Sequence, residues 1–587
     1  MIMKKIMNVM VLLTATTIFQ CCSADDPLTS SDNNATWNGN NANNSSANSG
    51  NSSATASSGE VLSFSVAIDK TTAEPTSTVS EYFPEEEDNL DNNAFTTEVA
   101  IDLSNPVAKE ENGVKISVDG GHITANHGST KSVCYVVSGT TQNGSFTVAG
   151  DKKYMVQLNS VSITNPDSAA LNLLSSKRAF VVINGSNTLS DGTSSKNDHK
   201  GALYCKGKLL LNGTGQLEVY GNYNNAIHSA DYIIFRKGMN IYAKSTANNG
   251  IKANDGIFIN GGIVNVEVTA TAAKGINCES NIIVNGGRTT VITTGGGTYD
   301  TTDRETKASA GISCDSTYTQ NGGEVYLKST GNGGKGLKTD YEAYIAGGTM
   351  RIITTGGLYS SNGDTSSPKG MKIGTKNVHG LLNISGGDIM VRTDGQNGEG
   401  IESKGTLTIS GGNINISAYD DGINSAGNMY LLGGNITAVG RNSDGIDTNG
   451  NMYIEGGNIV AFGAGGAESG IDTGEQYKLY ITGGQLFAIG GRIDAAYTTT
   501  DGAQPYAQTT GGTAANATVT LSNGSTTLAT FTMPPYNYGS GTIIVSAPGM
   551  TSGTSYTLNL GSSTKTVTAT TSGSNSGMGG MPGGGRW

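Results

Sequence analysis

The sequence is poor in charged residues and in tryptophan. Of its 587 residues only 14% are charged and 36% are hydrophobic, which excludes a long charged helix and a bundle of membrane helices. The two tryptophans, Trp37 and Trp587, lie in the tails, so no tryptophan platform for a sugar ring exists in the core. The formal net charge of -12 argues against a nucleic-acid partner, because phosphate backbones attract basic surfaces.

Several catalytic and metal motifs are also missing. The five histidines are scattered without an HExxH pair, and the sequence has no GxSxG elbow and no Walker loop. None of the six cysteines forms a CxxC pair, which argues against zinc. Cys278 and Cys314 hold similar places in successive repeats, so we expect small inward-facing residues there, with a disulfide as the alternative.

The first 22 residues have the pattern of an export signal. Lys4 and Lys5 precede a short apolar run over 6–19, which is typical of a secretory signal peptide and too short to span a bilayer. Cys21 and Cys22 follow at the expected cleavage point and resemble a lipoprotein lipobox. We therefore expect lipidation at Cys21 or Cys22, with ordinary signal-peptidase cleavage as the alternative. This predicts an outer membrane lipoprotein, exposed at the cell surface and held by its lipid anchor only.

A repeat of 22 to 36 residues begins near residue 200. In each copy a small residue precedes an aliphatic one, as in Gly422-Ile423 and Gly445-Ile446, and a Gly-Gly pair follows before the next copy. This period indicates a solenoid and is too short for a propeller blade. Short alternating segments between turns predict an all-β, right-handed parallel β-helix with three strands in each coil.

Composition shifts along the chain predict six segments. We expect the long repeats to carry their extra residues, 295–309 and 356–368, on one face, which is often the binding face of a solenoid. The acidic run Glu85-Glu86-Glu87-Asp88 is expected to be a solvated loop. The segments are a signal peptide (1–22), an Asn/Ser-rich linker (23–58), irregular N-terminal β coils and cap (59–200), the parallel β-helix (201–500), a small C-terminal β domain (501–572) and a disordered Gly-rich tail (573–587).

Acidic side chains recur beside the aliphatic anchors of the last coils. Coils lie ~4.8 Å apart, and stacked carboxylates at that distance repel by roughly 1–3 kcal/mol per pair. Clustered hard oxygen ligands suit Ca²⁺, so calcium is the predicted cofactor. The alternative is a hydrated acidic face relieved by Lys404 and Arg441. The predicted ligands are Glu399, Glu402, Asp421, Asn424, Asp444, Asp447 and Asp472.

Lysines and tyrosines form two further ladders. Lysines in the earlier coils could bind the carboxylates of an acidic polysaccharide, or only form ion pairs on a solvated face. Outward tyrosines could stack on sugar rings, or only on each other. If the protein were a lyase, Lys369 or Lys372 could be the base. The predicted glycan-binding residues are Lys335, Lys338, Lys369, Lys372, Tyr430, Tyr453 and Tyr480.

Four segments, followed by the Gly-Ile and Gly-Gly coils, carry a family resemblance. They are Val156-Gln-Leu-Asn-Ser-Val-Ser-Ile163, Gly185-Ser-Asn-Thr-Leu-Ser-Asp-Gly192, Lys200-Gly-Ala-Leu-Tyr-Cys-Lys-Gly207 and Asn225-Ala-Ile-His-Ser-Ala-Asp-Tyr-Ile233. Over about 100–500 the chain resembles the calcium-binding β-helix carbohydrate-binding domain family, whose fold is similar to that of pectate lyases. The resemblance implies binding of plant-type polysaccharides, including acidic pectin, without catalysis.

The resemblance also implies that the Asp-Gly-Ile and Gly-Ile-Asp motifs at Asp421, Asp444, Asp447 and Asp472 hold the metal. Ser469 departs from the pattern, because the preceding coils have an acid at its position. The predicted function is therefore a calcium-dependent, non-catalytic polysaccharide-binding protein. A pectate-lyase-like polysaccharide lyase and a structural adhesin or spacer are the alternatives.

Overall fold

The computed structural model describes residues 62–474, 476–493, 497, 500 and 502–572. Its repeats form a parallel β-helix, so the predicted all-β solenoid is confirmed. Each regular coil contributes one strand to each of three stacks, which we call the first, second and third stack in the order in which the chain enters them. The signal peptide, the linker, Cys21, Cys22 and the Gly-rich tail lie outside the described residues.

The first stack is a sheet of 16 strands, of which the first three pair antiparallel and the others stack in parallel, coil on coil. Its strands are Lys109–Glu111, Val114–Asp119, Gly121–Asn126, Gly144–Ala149, Leu171–Leu173, Gly201–Cys205, Asn225–Ser229, Ile251–Ala253, Lys274–Cys278, Ala310–Cys314, Lys335–Thr339, Lys369–Ile373, Glu399–Ser403, Ile423–Ser425, Ile446–Thr448 and Ile471–Thr473.

The second and third stacks belong to one sheet of 29 strands. The second stack comprises Ala179–Asn184, Leu209–Gly213, Tyr232–Phe235, Gly256–Ile259, Asn281–Val284, Thr317–Gln320, Glu342–Ile345, Leu381–Ile384, Thr406–Ile409, Met429–Leu431, Met452–Ile454 and Leu479–Ile481. The third comprises Ser186–Asp191, Gln216–Gly221, Asn240–Ser245, Ile263–Val268, Arg288–Thr293, Glu324–Ser329, Thr349–Thr354, Asp388–Thr393, Asn413–Ala418, Asn435–Gly440, Asn458–Phe462 and Gln485–Gly490. The remaining strands of this sheet are Thr97–Asp102, Val133–Thr141 and Tyr154–Asn165 at the N-terminal end, and Tyr506–Thr513 and Tyr538–Ser546 at the C-terminal end.

The elements outside the stacks are small. A C-terminal antiparallel sheet contains Thr526–Thr532, Thr518–Asn523, Ser555–Asn559 and Thr564–Thr568. The two insertions form antiparallel hairpins, Thr298–Asp300 with Glu305–Lys307 and Tyr359–Ser361 with Asp364–Ser366. Two short 3-10 helices span Glu86–Asp88 and Leu90–Asn92. Within the described residues, no helix has the length and apolarity needed to cross a membrane.

The aliphatic anchors build one continuous core. Ile423 pairs with Ile446 in register, and Ile446 pairs with Ile471. These side chains are buried, since each is at most 1% exposed. Cys278 and Cys314 are also register partners and buried free thiols, which confirms the inward-facing prediction.

The Gly-Gly pairs are required by the turn between the second and third stacks. The second glycine of each pair adopts a positive φ, as at Gly434 and Gly457 with φ of 86°. A Cβ atom on the first glycine would collide with the coil below, as Gly456 would with the Leu432 carbonyl oxygen. Both positions therefore exclude larger residues, for different reasons.

The acidic run Glu85–Asp88 is exposed at its three glutamates, as predicted, but not at Asp88. Asp88 is fully buried and accepts hydrogen bonds from Arg178 Nε at 2.7 Å and from the Tyr232 hydroxyl at 2.6 Å. Glu85 also forms ion pairs with Arg178 and Lys208. The prediction missed the burial of Asp88 and the ion pairs of Glu85, because a short acidic segment does not reveal a partner that lies far along the chain.

Candidate metal and glycan site

One line of side chains on the first stack carries six of the fourteen predicted metal and glycan residues. Each lies one position after the inward aliphatic anchor and points to the opposite side of the strand, because side chains alternate along a strand. We call this line the outer column. Its members in register are Tyr204, His228, Lys252, Asn277, Ser313, Lys338, Lys372, Glu402, Asn424, Asp447 and Asp472.

A second line of side chains, which we call the rim column, contains the residue two positions before the anchor in each coil. In both columns lysines occupy the earlier coils and acids the later coils, and the change falls between the strands Lys369–Ile373 and Glu399–Ser403. Backbone hydrogen bonds extend the rim column beyond Glu399 to the later coils. Its members are Lys274, Ala310, Lys335, Lys369, Glu399, Asp421, Asp444 and Ser469.

Three aspartates at the acidic end converge. One carboxylate oxygen from each of Asp444, Asp447 and Asp472 lies within 4.8 Å of the others. We call this cluster the aspartate triad. Asp444 Oδ1 accepts a hydrogen bond from the Ser469 backbone N–H at 2.5 Å, and Asp447 Oδ2 accepts one from Asn424 Nδ2 at 2.9 Å. The triad therefore combines the oxygen ligands that a hard divalent cation prefers.

Two members of the triad, Asp444 and Asp447, hold their protons more tightly than ordinary aspartates do. Burial, together with the carboxylates of Asp421 and Asp472, raises the pKa of both Asp444 and Asp447 to about 8. No ion pair connects Asp444 or Asp447 to a lysine or arginine in the part of the chain that the structure describes. A bound cation would favour the deprotonated carboxylates, so the triad could hold a metal ion.

Asp421 and Asn424 lie beside the triad. Asn424 Nδ2 donates to Asp421 Oδ2 and to Asp447 Oδ2, in both cases at 2.9 Å. Asp421 Oδ1 accepts from the Asp444 backbone N–H at 3.1 Å. Asn424 thus bridges a rim-column carboxylate and an outer-column carboxylate, and its side chain fixes the position of both.

Glu399 and Glu402 are engaged by lysines instead. Lys369 Nζ lies 2.5 Å from Glu399 Oε1 and 3.7 Å from Glu402 Oε1, and Lys404 Nζ lies 2.5 Å from Glu402 Oε1. Burial opposes ionisation of Glu402, but Lys369, Lys372 and Lys404 together hold its pKa below the usual value. The structure places these two glutamates in an ion-pair network next to the triad, but outside it.

The four predicted glycan-binding lysines differ in exposure. Lys335 and Lys369 are buried, at 7% and 6% exposed. Lys335 Nζ donates to the Gly333 carbonyl at 2.7 Å and to Ser366 Oγ in the second insertion hairpin, and burial holds its pKa well below the usual value. Lys338 pairs with Asp340 at 2.5 Å, and Lys372 is half-buried. Only Lys338 and Lys372 therefore present their side chains on the outer column.

The tyrosines lie on a different face from the acids and lysines. Tyr430, Tyr453 and Tyr480 are register partners on the second stack. Their rings stack face to face, with centroids 4.9 and 4.8 Å apart and interplanar angles of 6° and 8°. The structure therefore brings the tyrosines together with one another, and not with the aspartate triad.

A polar cleft earlier on the outer column was not anticipated from the sequence. It lies around His228 and is lined in part by Tyr204, Asn225 and Lys252. The signal that could have identified it is the recurrence of asparagine in successive coils, at 222, 224 and 225 and again at 248, 249 and 254. These positions converge only because the coils stack in register.

Comparison with known proteins gives two matches. A family model described as "Carbohydrate-binding domain-containing protein" matches residues 119–272, 265–363 and 379–578. The solved structure of the polysaccharide lyase-like protein from C. thermocellum, a gadolinium derivative, is 21% identical, with 49% of this chain and 96% of that chain covered and a TM-score of 0.33. None of the curated proteins matches the chain.

Proposed function

Because this chain belongs to the family of carbohydrate-binding domain-containing proteins, we propose that it is a non-catalytic, calcium-dependent polysaccharide-binding protein. The proposed ligand is an acidic, pectin-like or other plant-type glycan. The single observation that carries the calcium dependence is the convergence of Asp444, Asp447 and Asp472, whose carboxylate oxygens lie within 4.8 Å of one another.

The proposed calcium ligands are the triad aspartates, with Asp421 beside them. A bound Ca²⁺ ion accepts six to eight oxygen ligands, more than the three triad carboxylates supply when each offers one oxygen. Carboxylate oxygens of a uronate sugar could complete the set. Asn424 links Asp421 to the triad residue Asp447 through its two hydrogen bonds.

Lysines next to the acidic end of the outer column form the second part of the proposed glycan-binding site. Lys338 and Lys372 are neighbours in the outer column, and Lys372 directly precedes Glu402. Their ammonium groups could contact further carboxylates of an acidic chain that runs along the column. The buried Lys335 and Lys369 would then act on the fold rather than on the glycan.

A polysaccharide lyase is the second candidate, and one observation favours it. Burial lowers the pKa of Lys372 below its usual value, which favours the neutral amine that a base requires. Lys369 does not share this property, because Glu399 and Glu402 outweigh its burial and raise its pKa.

The proposed location is the outer surface of the cell. It depends on the pattern around Cys21 and Cys22. Metabolic labelling with a palmitate analogue tests it: label should enter the wild type and be lost when both cysteines are changed to serine. Unchanged labelling of that variant would contradict the proposed anchor.

Affinity electrophoresis in gels containing polygalacturonate tests the binding function. With calcium present the wild type should be retarded, and with a chelator it should not. The Asp447→Asn variant should run unretarded in both gels, while the control Asp119→Asn, at an exposed aspartate outside both columns, should behave as the wild type. Release of unsaturated, ultraviolet-absorbing sugar would instead establish a lyase, and absence of retardation in a wider panel of glycans would leave a spacer.

A further inference from the structure

A cleft of about 380 Å³ opens on the outer column, in the coils that precede Lys338 and Lys372. It lies near the lower end of the size range of small-molecule sites. The residues that matter most in it are Tyr204, Asn224, Asn225, His228, Asn248 and Lys252. Eight rungs of the column separate His228 from Asp447, so the cleft and the triad are about 40 Å apart at ~4.8 Å per rung.

The floor of the cleft contains unsatisfied polar atoms. His228 is 8% exposed, and its Nδ1 lies 3.3 Å from Asn225 Nδ2. His228 Nε2 and Asn254 Oδ1 are buried and make no hydrogen bond of good geometry among the described residues, although Asn254 acts on the imidazole as a weak partner. Buried polar groups are normally well paired, so this poorly satisfied pair in the floor leaves hydrogen bonds that a polar ligand can complete.

The charges around the cleft are already compensated. Lys252 pairs with Glu279 at 2.8 Å, and Lys200 pairs with Asp198 at 2.9 Å. Burial and the nearby Lys252 lower the pKa of His228 to about 4, so its imidazole is neutral at pH 7. An anionic ligand would have to displace Glu279 or Asp198, whereas a neutral ligand would not.

Carboxamides supply the remaining polar groups, and they are held in place. Asn224 Oδ1 accepts hydrogen bonds from Asn225 Nδ2 at 3.1 Å and from Asn248 Nδ2 at 2.9 Å. Asn225 Oδ1 accepts a further bond from Asn249 Nδ2 at 3.0 Å. A carboxamide offers both donors and acceptors, which is what neighbouring hydroxyl groups need, since each hydroxyl also donates and accepts.

We propose that this cleft is a second glycan subsite, which takes a neutral hexopyranose unit through its hydroxyl groups. The inference rests on the proposed function that the chain binds a polysaccharide, but it requires neither calcium nor the aspartate triad. Because cleft and triad share the outer column, one long glycan with neutral and acidic segments can occupy both.

Affinity electrophoresis with neutral polysaccharides and chelator in the gel tests the subsite. The probes are a galactan, a mannan and a mixed-linkage β-glucan. The wild type should be retarded by at least one of them. Asn248→Ala and Tyr204→Ala should each weaken that retardation about tenfold, the factor expected for one lost hydrogen bond or aromatic contact. Tyr341→Ala, at an exposed tyrosine outside the column, should bind as the wild type.

The outcomes separate this inference from the proposed function. Asp447→Asn should lose retention on polygalacturonate with calcium and keep retention on the neutral polymer. Retention on polygalacturonate without retention on any neutral probe would overturn the subsite alone, as would cleft variants that bind like the wild type. Neutral retention without calcium-dependent acidic retention would overturn the acidic function and leave the subsite standing. Melting curves of Tyr204→Ala and the exposed Asn248→Ala show whether a loss reflects folding.

Discussion

Lys369 Nζ lies 2.5 Å from Glu399 Oε1, and the two residues are register partners where the lysine half of the rim column meets its acidic half. Both are largely buried, with side chains 8% and 13% exposed. The second contact of Lys369, with Glu402 at 3.7 Å, joins a rim carboxylate and an outer-column carboxylate through one ammonium group. This lysine therefore offsets the charge of two buried acids at once.

Replacing Lys369 with Met should destabilise the fold strongly. The change leaves Glu399 and Glu402 without their shared cation, and breaking a buried ion pair in this way costs about 3–5 kcal/mol. Lys338→Met is the matched control, since its partner Asp340 is partly exposed and such a pair contributes at most ~1 kcal/mol. Denaturant unfolding compares the two. Equal losses would mean that the network around Lys369 is solvated.

Chelation should lower the melting temperature of the wild type. A ligand that binds only the folded state at 100 times its dissociation constant stabilises it by about 2.7 kcal/mol. Asp447→Asn should remove most of this difference, while Asp340→Asn should keep it. Differential scanning calorimetry with calcium and with chelator measures the shift, and identical curves for the wild type would refute calcium binding at the triad.

In chelator the stability should fall as the pH rises. The folded-state pKa of Asp444 and of Asp447 is about 8, above the ordinary value of 3.8. The folded state therefore binds these protons more tightly than the unfolded chain does. The resulting stability is present below about pH 4 and is lost as the pH approaches 8.

Calcium should reverse this trend, because the ion binds the deprotonated carboxylates. Thermal melts from about pH 5 to about pH 8, with and without calcium, test both statements. The double variant Asp444→Asn with Asp447→Asn should give nearly the same pH profile in both solutions. A wild type whose melting temperature in chelator rises with pH would contradict the raised pKa values.

The fold was predictable because each coil repeats the same short sequence pattern. Each coil has an inward aliphatic anchor, as after Gly422 and Gly445, and a turn that requires a glycine, as at Gly434 and Gly457. These local features determine the conformation of the coil without any long-range information. The register between coils follows because the anchors of successive coils stack on one another. The alignment of the anchors in the sequence therefore correctly placed Asn424, Asp447 and Asp472 in one line.

The parts that sequence reasoning missed depend on contacts between distant segments. Asp88 is buried by Arg178, and Lys335 is covered by Ser366 of an insertion hairpin. No periodic pattern records such contacts. The contact of Glu402 with Lys369 was also hidden, because an outward position does not show whether a lysine of the neighbouring coil will turn toward it; its other partner, Lys404, was among the residues expected to relieve the acidic face. The same holds for His228, whose asparagine neighbours come from successive coils.

The tyrosine ladder should contribute to stability rather than to sugar binding. Tyr453 lies between Tyr430 and Tyr480, so both of its ring faces are already covered at 4.9 and 4.8 Å. A sugar ring would need one of these faces. Tyr453→Ala should lose two stacked pairs, worth about 0.5–1.5 kcal/mol each beyond the buried area, whereas Tyr430→Ala should lose one.

The Tyr453→Phe variant separates the ring from the hydroxyl. It keeps both stacked faces and loses only the long bond from Asn451 Nδ2 to the phenol at 3.4 Å, so its stability should stay close to that of the wild type. Denaturant unfolding and retention on polygalacturonate with calcium are measured on the same three variants. If Tyr453→Ala unfolds like the wild type but loses retention, the ladder is a sugar platform. If Tyr453→Ala unfolds more easily but keeps retention when folded, the stacked rings stabilise the fold and do not bind sugar. The glycan then lies on the outer column of the first stack.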